Sequence, residues 1–366
     1  MKPISVFLLT LALAACAPRG AILVVPEAAK TGELMTVFIG TTRGRSEAGD
    51  FDKSRAETLS FARYDISIPP EREPGEIAWP PAHGKPNPKT HFLTAARTDF
   101  RDEPHFRADL ATSLAHTGGE AIVFVHGFNN TFAEGTYRIA QMAHDLEIPG
   151  TIVHYSWSSA AEPLGYAHDR DSALFARDGL EGLLREVEAA GAKRMIVVAH
   201  SMGSALTMET LRQVAIRGDK DVMERIRGVV LISPDIDIDV FRAQAHAIPK
   251  LPQPFVVFTS ERDRILRLSA RLSGQTDRLG TLTDVTRVAD LPITFLDVAA
   301  FNRGSGHFNV GNSPALLRLL ERIASVDQAL IADRAAQTGL LPGVVLTVQN
   351  ATQIILRPVA EIGTAR

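Results

Sequence analysis

The sequence predicts an α/β fold, a mainly parallel β-sheet covered by helices on both faces. Two observations carry this expectation. Apolar runs at 121–125, 151–155, 194–199, 228–232, 255–259 and 293–298 lack the inside–outside alternation of a half-exposed strand, so each reads as a strand buried on both faces. Between them, 132–146, 169–190 and 203–216 carry apolar residues at helical spacing. Strands alternating with amphipathic helices imply crossover connections and hence parallel pairing.

The remaining elements follow in order. Residues 35–41 and 58–68 are rich in β-branched and aromatic side chains and read as strands. Residues 69–88 hold many prolines and few apolar runs, so they form a surface loop. Residues 106–116 have helical spacing. In 169–190, Leu174, Leu180, Leu183, Leu184 and Val187 line up as one apolar face, which predicts a single long helix. Residues 313–326 are the last core helix. Beyond them the pattern weakens to a terminal hairpin, 344–348 and 353–356, with no evident task. The organisation expected is therefore a signal at 1–15, a tether at 16–34, the α/β domain at 35–326 and a C-terminal extension at 327–366.

The chain has 366 residues, 45% hydrophobic and 22% charged, with a formal net charge of −3. That balance, without any basic run, gives no electrostatic reason to expect nucleic acid as a partner. The N-terminus starts Met1-Lys2-Pro3 and runs apolar over 4–15. This is shorter than the roughly 20 residues a membrane span needs and reads as an export signal. Its end, Leu13-Ala14-Ala15-Cys16, resembles the lipobox of bacterial lipoproteins, in which cleavage exposes a cysteine for lipidation. An ordinary secretory signal, cut after Ala15-Cys16-Ala17, is the alternative. Lipidation would hold the protein on a membrane surface. Ala17, not Asp, follows the cysteine; by resemblance to Gram-negative lipoproteins this implies the periplasmic face of the outer membrane. Cys16 is the sole cysteine, so no disulfide can form within the chain.

The chemistry centres on Ala199-His200-Ser201-Met202-Gly203, placed where a strand ends and a helix begins. A turn this tight lifts the middle side chain above the sheet and needs small neighbours, the logic of the nucleophile elbow G-x-S-x-G. Ala199 replaces the first glycine, as in some bacterial lipases. The plainer reading of Ser201 is a helix cap. Flanking residues favour the elbow. The strand at 121–125 runs into His126-Gly127-Phe128, and in α/β-hydrolases the loop after that strand supplies one oxyanion N–H while the residue after the nucleophile supplies the other. Phe128 and Met202 are thus the expected donors, through their backbones. His126 reads as structural, bonding within its own loop. Asn129 and Asn130 either stiffen that loop or form a simple turn.

An acid and then a histidine should follow the serine. His307, in Gly304-Ser305-Gly306-His307 past the last strand, is the expected base. Asp263, after the strand at 255–259, is the expected acid, with Asp235 the main competitor among Asp235, Asp237 and Asp239. The D-I-D-I-D run is no EF-hand, since it lacks the glycine and glutamate that loop requires. Arg262 and Arg264 read as surface residues. Trp157, with Ser156 and Ser158, either lines a pocket or packs in the core. The link at 233–255 is too short for a helical cap domain, which predicts an open site without a long lid.

Taken together, the runs Phe38-Ile39-Gly40-Thr41-Thr42-Arg43-Gly44-Arg45, Phe124-Val125-His126-Gly127-Phe128-Asn129-Asn130, Ala199-His200-Ser201-Met202-Gly203 and Ser233-Pro234-Asp235-Ile236-Asp237 resemble a bacterial α/β-hydrolase family catalogued as domain of unknown function 900. The likeness spans about 35–326. It implies the α/β-hydrolase fold and a serine nucleophile and says little about substrate. The expected activity is hydrolysis of a carboxylic ester or lipid, with no metal and no organic cofactor. Thioester, amide or peptide hydrolysis, or a non-catalytic binding lipoprotein of the cell envelope, are the rival readings.

Overall fold

In the computed structural model of the chain, residues 19–274, 277–301, 307–313, 316 and 343–356 are described. Their strands are β1 (Glu33–Arg45), β2 (Phe51–Ile68), β3 (Leu93–Phe100), β4 (Glu120–Val125), β5 (Thr151–Ser156), β6 (Arg194–His200), β7 (Ile226–Ile232), β8 (Phe255–Thr259), β9 (Thr294–Asp297), β10 (Gly343–Val348) and β11 (Ala351–Leu356). All join one sheet in the order β10-β11-β9-β8-β7-β6-β4-β5-β1-β2-β3. From β11 through to β1 every neighbouring pair is parallel. The two ends are antiparallel, β2 and β3 at one side and β10 at the other.

The absence of alternation in the central strands has the expected cause. Val123 and Val125, Val197 and Ala199, Val229 and Leu231 belong to one buried cluster. Their neighbours Ile122, Phe124, Val198 and Ile232 belong to the cluster on the other face. Helices cover both. The first cluster takes Phe106, Leu110 and Leu114 of α1 (Glu103–His116), together with residues of α4 (Arg177–Ala189) and α5 (Met202–Arg217). The second takes Phe132, Tyr137, Ile139 and Met142 of α2 (Phe132–Asp145). A Thr131–Glu134 capping box starts α2, satisfying N–H groups that would otherwise lack partners.

The structure departs from the sequence reading in several places. The single helix expected over 169–190 is two, α3 (Tyr166–Phe175) and α4, separated at Ala176. Leu174 does not join the apolar face and is 53% exposed. The buried face of α3 carries Asp169, Ser172 and Ala173; Ala173 joins the first cluster beside α4 and α5, while Asp169 holds the neighbouring loop through Ser159 and Ala160. The 233–255 link contains α7 (Ile238–His246), and Lys220–Arg225 forms the short α6. Strand β3 was not apparent from the sequence.

The segment expected to be a tether is, from Arg19 onward, packed chain. Thr94 donates its N–H to Leu23 O and accepts from Val25 N at 3.0 and 2.8 Å, and Ala28 is fully buried. The C-terminal hairpin likewise extends the main sheet, with Ile354 and Leu356 in its core. Cys16, the signal, residues 302–306 and most of the 313–326 helix lie outside the described residues.

Candidate active site

The elbow is built by close packing. Ser201 joins β6 to α5 with φ 52° and ψ −123°, a conformation that costs an L-residue energy and persists only when its surroundings impose it. Those surroundings are the glycines of the motif. A Cβ on Gly203 would lie 2.3 Å from His126 O and 2.7 Å from Val125 O, and one on Gly127 would lie 2.8 Å from Ser201 Cβ. The helix therefore presses directly on the β4 loop. Ser201 N donates to Ile232 O (3.0 Å), and Ser201 O accepts from Asp235 N (3.2 Å). Ser201 is only 1% exposed.

The structure brings His307 to Asp263 and not to Asp235. His307 Nδ1 lies 2.8 Å from Asp263 Oδ2. Asp263 is fully buried and caps α8 (Arg264–Leu272), its Oδ1 accepting from the N–H groups of Ile265 and Leu266 at 3.0 Å each. One carboxylate oxygen thus holds a helix end while the other holds the imidazole. With the proton on Nδ1, the ring's Nε2 carries a free lone pair. Arg262 and Arg264 are exposed, as expected.

Asp235 has other partners. Its carboxylate accepts from Tyr166 Oη (3.0 Å) and Ser269 Oγ (2.6 Å) and pairs with Arg278 Nε at 3.1 Å. Asp237 caps α7, and Asp239 is an exposed partner of Arg287.

His307 also sits against the elbow. Its ring centroid is 4.7 Å from that of His200, the residue before Ser201, and His200 Nε2 lies 3.3 Å from His307 O. Phe308 also packs on His200, edge to face, with centroids 4.4 Å apart. Burial first, then the neighbouring His307, pushes the His200 imidazole well below the usual histidine range. His200 is therefore a neutral spacer between the elbow and the histidine loop, a role the motif alone does not reveal.

The loop bearing Phe128 is held by a polar network. His126 stacks on Trp157 with centroids 4.9 Å apart, and Trp157 Nε1 donates to His126 O at 2.7 Å. Both residues are buried, and His126 is pushed down to about 3, mainly by burial with Arg43 adding to it. This makes His126 structural, and Trp157 a packing residue. Asn130 Nδ2 donates to Phe128 O at 2.8 Å, and Asn129 N donates to Asp169 Oδ2 at 3.2 Å. Arg43 lies beneath, 2% exposed, donating to Asn130 O, Ser159 O, Asp52 O and Ser156 Oγ. Its guanidinium is pushed down to about 10 by burial, against the pull of Asp169. Arg19 reaches the same loop from the N-terminal segment. It donates to Asn129 Oδ1, Asn129 O and Ala161 O at 2.6 Å each and forms a two-point ion pair with Glu134. The sequence signal for Arg43 is a charged residue inside a β-like run; Arg19 and Asp169 carry no such signal.

A strained serine at a strand–helix turn, a carboxylate-held histidine packed on His200 of the same turn and a glycine-lined loop facing the serine define a protein of the α/β-hydrolase class. Residues 102–331 match the family described as alpha/beta hydrolase of unknown function (DUF900), and the chain belongs to that family. Among curated proteins none matches the chain. Similar solved structures include a Pyrobaculum calidifontis esterase, 14% identical over 84% of this chain and 89% of the other, with a TM-score of 0.39. Pyrococcus furiosus esterase Pf2001 is 13% identical over 78% and 90%, at 0.34. Thermogutta terrifontis esterase 2 phosphorylated by paraoxon is 10% identical over 80% and 94%, at 0.35.

Proposed function

We propose that the protein is a serine hydrolase acting on carboxylic esters through an acyl-enzyme. The single observation that carries this is the Asp263–His307 hydrogen bond, its imidazole packed on His200, next in sequence to a serine held in a strained elbow. In this reading His307 Nε2 takes the Ser201 proton as Oγ attacks the ester carbonyl. The carbonyl oxygen becomes an oxyanion held by the N–H groups of Phe128 and Met202. His307 then protonates the leaving alkoxide, and the alcohol departs. Water, deprotonated by the same imidazole, attacks the acyl-enzyme and releases the acid, returning the proton to Ser201. Asp263 keeps the imidazole in the productive tautomer and stabilises it when charged. The two glycine contacts that press helix on loop also fix the oxyanion donors, so little reorganisation accompanies the reaction.

A fluorophosphonate probe tests the nucleophile. The native protein is expected to be labelled and Ser201→Ala not. A native protein that resists the probe under conditions that label a known esterase sinks the reading. Matched ester, thioester and amide substrates then rank the bond types, with the ester expected to turn over fastest.

Cys16 extends the reading to location. The lipobox-like end of the signal supports a lipid anchor and the periplasmic face of the outer membrane. Among the described residues no helix is long and apolar enough to cross a membrane. Metabolic labelling with a fatty acid is expected for the native chain and not for Cys16→Ser.

A further inference from the structure

A cavity of about 340 Å³ adjoins the elbow. Met202, Leu206 and Glu209 of α5 form one wall, and Val240 and Gln244 of α7 face them. Its volume is in the range of small-molecule sites. The cavity touches one expected oxyanion donor and lies one side chain from the other. Met202 lines it directly, and Tyr166, another lining residue, packs its ring edge-on against Phe128 at 5.6 Å. Because Ser201 is 1% exposed, an acyl group bound to it needs a space opening beside the elbow.

The cavity is graded along its length. Met202, Leu206 and Glu209 are spaced on successive turns of one helix face, as are Val240 and Gln244 on the facing helix. Along α5 its lining is apolar between the elbow and Glu209 (Ala205, Leu206, with Val240 facing), Tyr166, Arg170, Asp235, Asp237, Ser273 and Arg278 supply the polar part of the remaining wall, and Glu209 and Gln244 stand at the end far from the elbow. Gln244 donates Nε2 to Glu209 at 3.0 Å, and its Oε1 is buried without a partner. A hydrocarbon chain reaching that end would lie against the Glu209–Arg212 ion pair and the unpartnered Gln244 Oε1 and give neither a hydrogen bond. From Met202 to Glu209 is seven residues, about 10 Å along the axis at ~1.5 Å per residue. An extended alkyl chain advances about 1.25 Å per carbon, given a C–C bond of ~1.52 Å opened to about 111°. About eight carbons fit before the polar end.

We propose that this cavity is the acyl site, taking esters of linear, uncharged aliphatic acids up to about eight carbons long. The proposal rests on the hydrolase reading above. On it, Glu209 and Gln244 set the length limit and Ala205 and Val240 set the width.

The test is kcat/KM for p-nitrophenyl esters from acetate to palmitate. In the native protein kcat/KM should climb to an optimum near octanoate and fall at least tenfold by laurate. Ala205→Phe and Val240→Phe, on opposite walls, should each lower the octanoate-to-acetate ratio at least tenfold. Val240 is 49% exposed, so that variant keeps the test available should Ala205→Phe misfold. Glu209→Leu should move the optimum to longer chains, a gain that mere loss of structure cannot produce. A flat chain-length profile in the native protein, or an octanoate-to-acetate ratio unmoved in a folded wall variant, overturns the acyl-site assignment and leaves the nucleophile reading intact. Failure of the native protein to take the fluorophosphonate overturns the reading beneath it.

Discussion

Asp263 and Asp235 are both buried carboxylates near the elbow, and their partners predict opposite phenotypes. Asp263 holds His307, so Asp263→Asn is expected to lower kcat by about 10⁴ through loss of the correct tautomer, with a modest change in melting temperature. Asp235 is paired with Arg278, and both side chains are almost wholly buried. Asp235→Asn leaves an uncompensated buried cation, which costs about 3–5 kcal/mol. Its main readout is a drop in melting temperature. Steady-state kinetics and thermal denaturation on the two variants separate these effects, and an inactive but fully stable Asp235→Asn would reverse the assignment. The residues also predict acid sensitivity. His126 titrates at about 3 in the fold, against its ordinary 6.5, because burial disfavours its charged form. The unfolded chain therefore binds the proton first, and stability present above about pH 6.5 is lost as pH falls toward about 3. Denaturant midpoints across that window should decline, and His126→Gln should flatten part of the slope. The serine and its motif were plain in the sequence, since they are contiguous. The choice between two aspartates 28 positions apart was not, because each follows a strand end and only partner geometry distinguishes them.

Two elements near the site act through packing. Gly203 has no room for a side chain, with His126 O 2.3 Å from where its Cβ would be. Gly203→Val is expected to push α5 off the β4 loop, removing activity and lowering stability together, as seen in fluorophosphonate labelling and melting temperature. The N-terminal segment makes a different prediction. Arg19 grips both the carbonyl and side chain of Asn129, next to Phe128. Arg19→Ala should loosen the Phe128 loop and, on the proposed mechanism, lower kcat by about 10- to 100-fold, less than losing an oxyanion donor outright, with KM little changed. An unchanged kcat with a lower melting temperature would make Arg19 merely structural. Much of this level was readable in advance, because strands buried on both faces and amphipathic helices leave periodic traces. The break at Ala176 was not. Leu174 fits the helical period as well as Leu180 does, and its exposure follows from where α3 is steered by Asp169 and its loop partners.

For the whole molecule, the sheet's far edge depends on the C-terminal hairpin. Strand β11 covers β9, and Ile354 is 6% exposed within the second cluster. Ile354→Ala is expected to cost about 2–5 kcal/mol, as for other buried large-to-small changes, measurable by denaturant unfolding with little effect on kcat. The α/β class, the elbow and the order of serine, acid and histidine come from local pattern, since burial on two faces and a tight turn constrain nearby residues. Which carboxylate meets the imidazole, how Arg19 and Arg43 reach the Phe128 loop and which side chains line the cavity opposite α5 depend on contacts between segments distant along the chain. A linear pattern records what each stretch must bury, but it carries no term for which stretches meet, and the packed sheet supplies that.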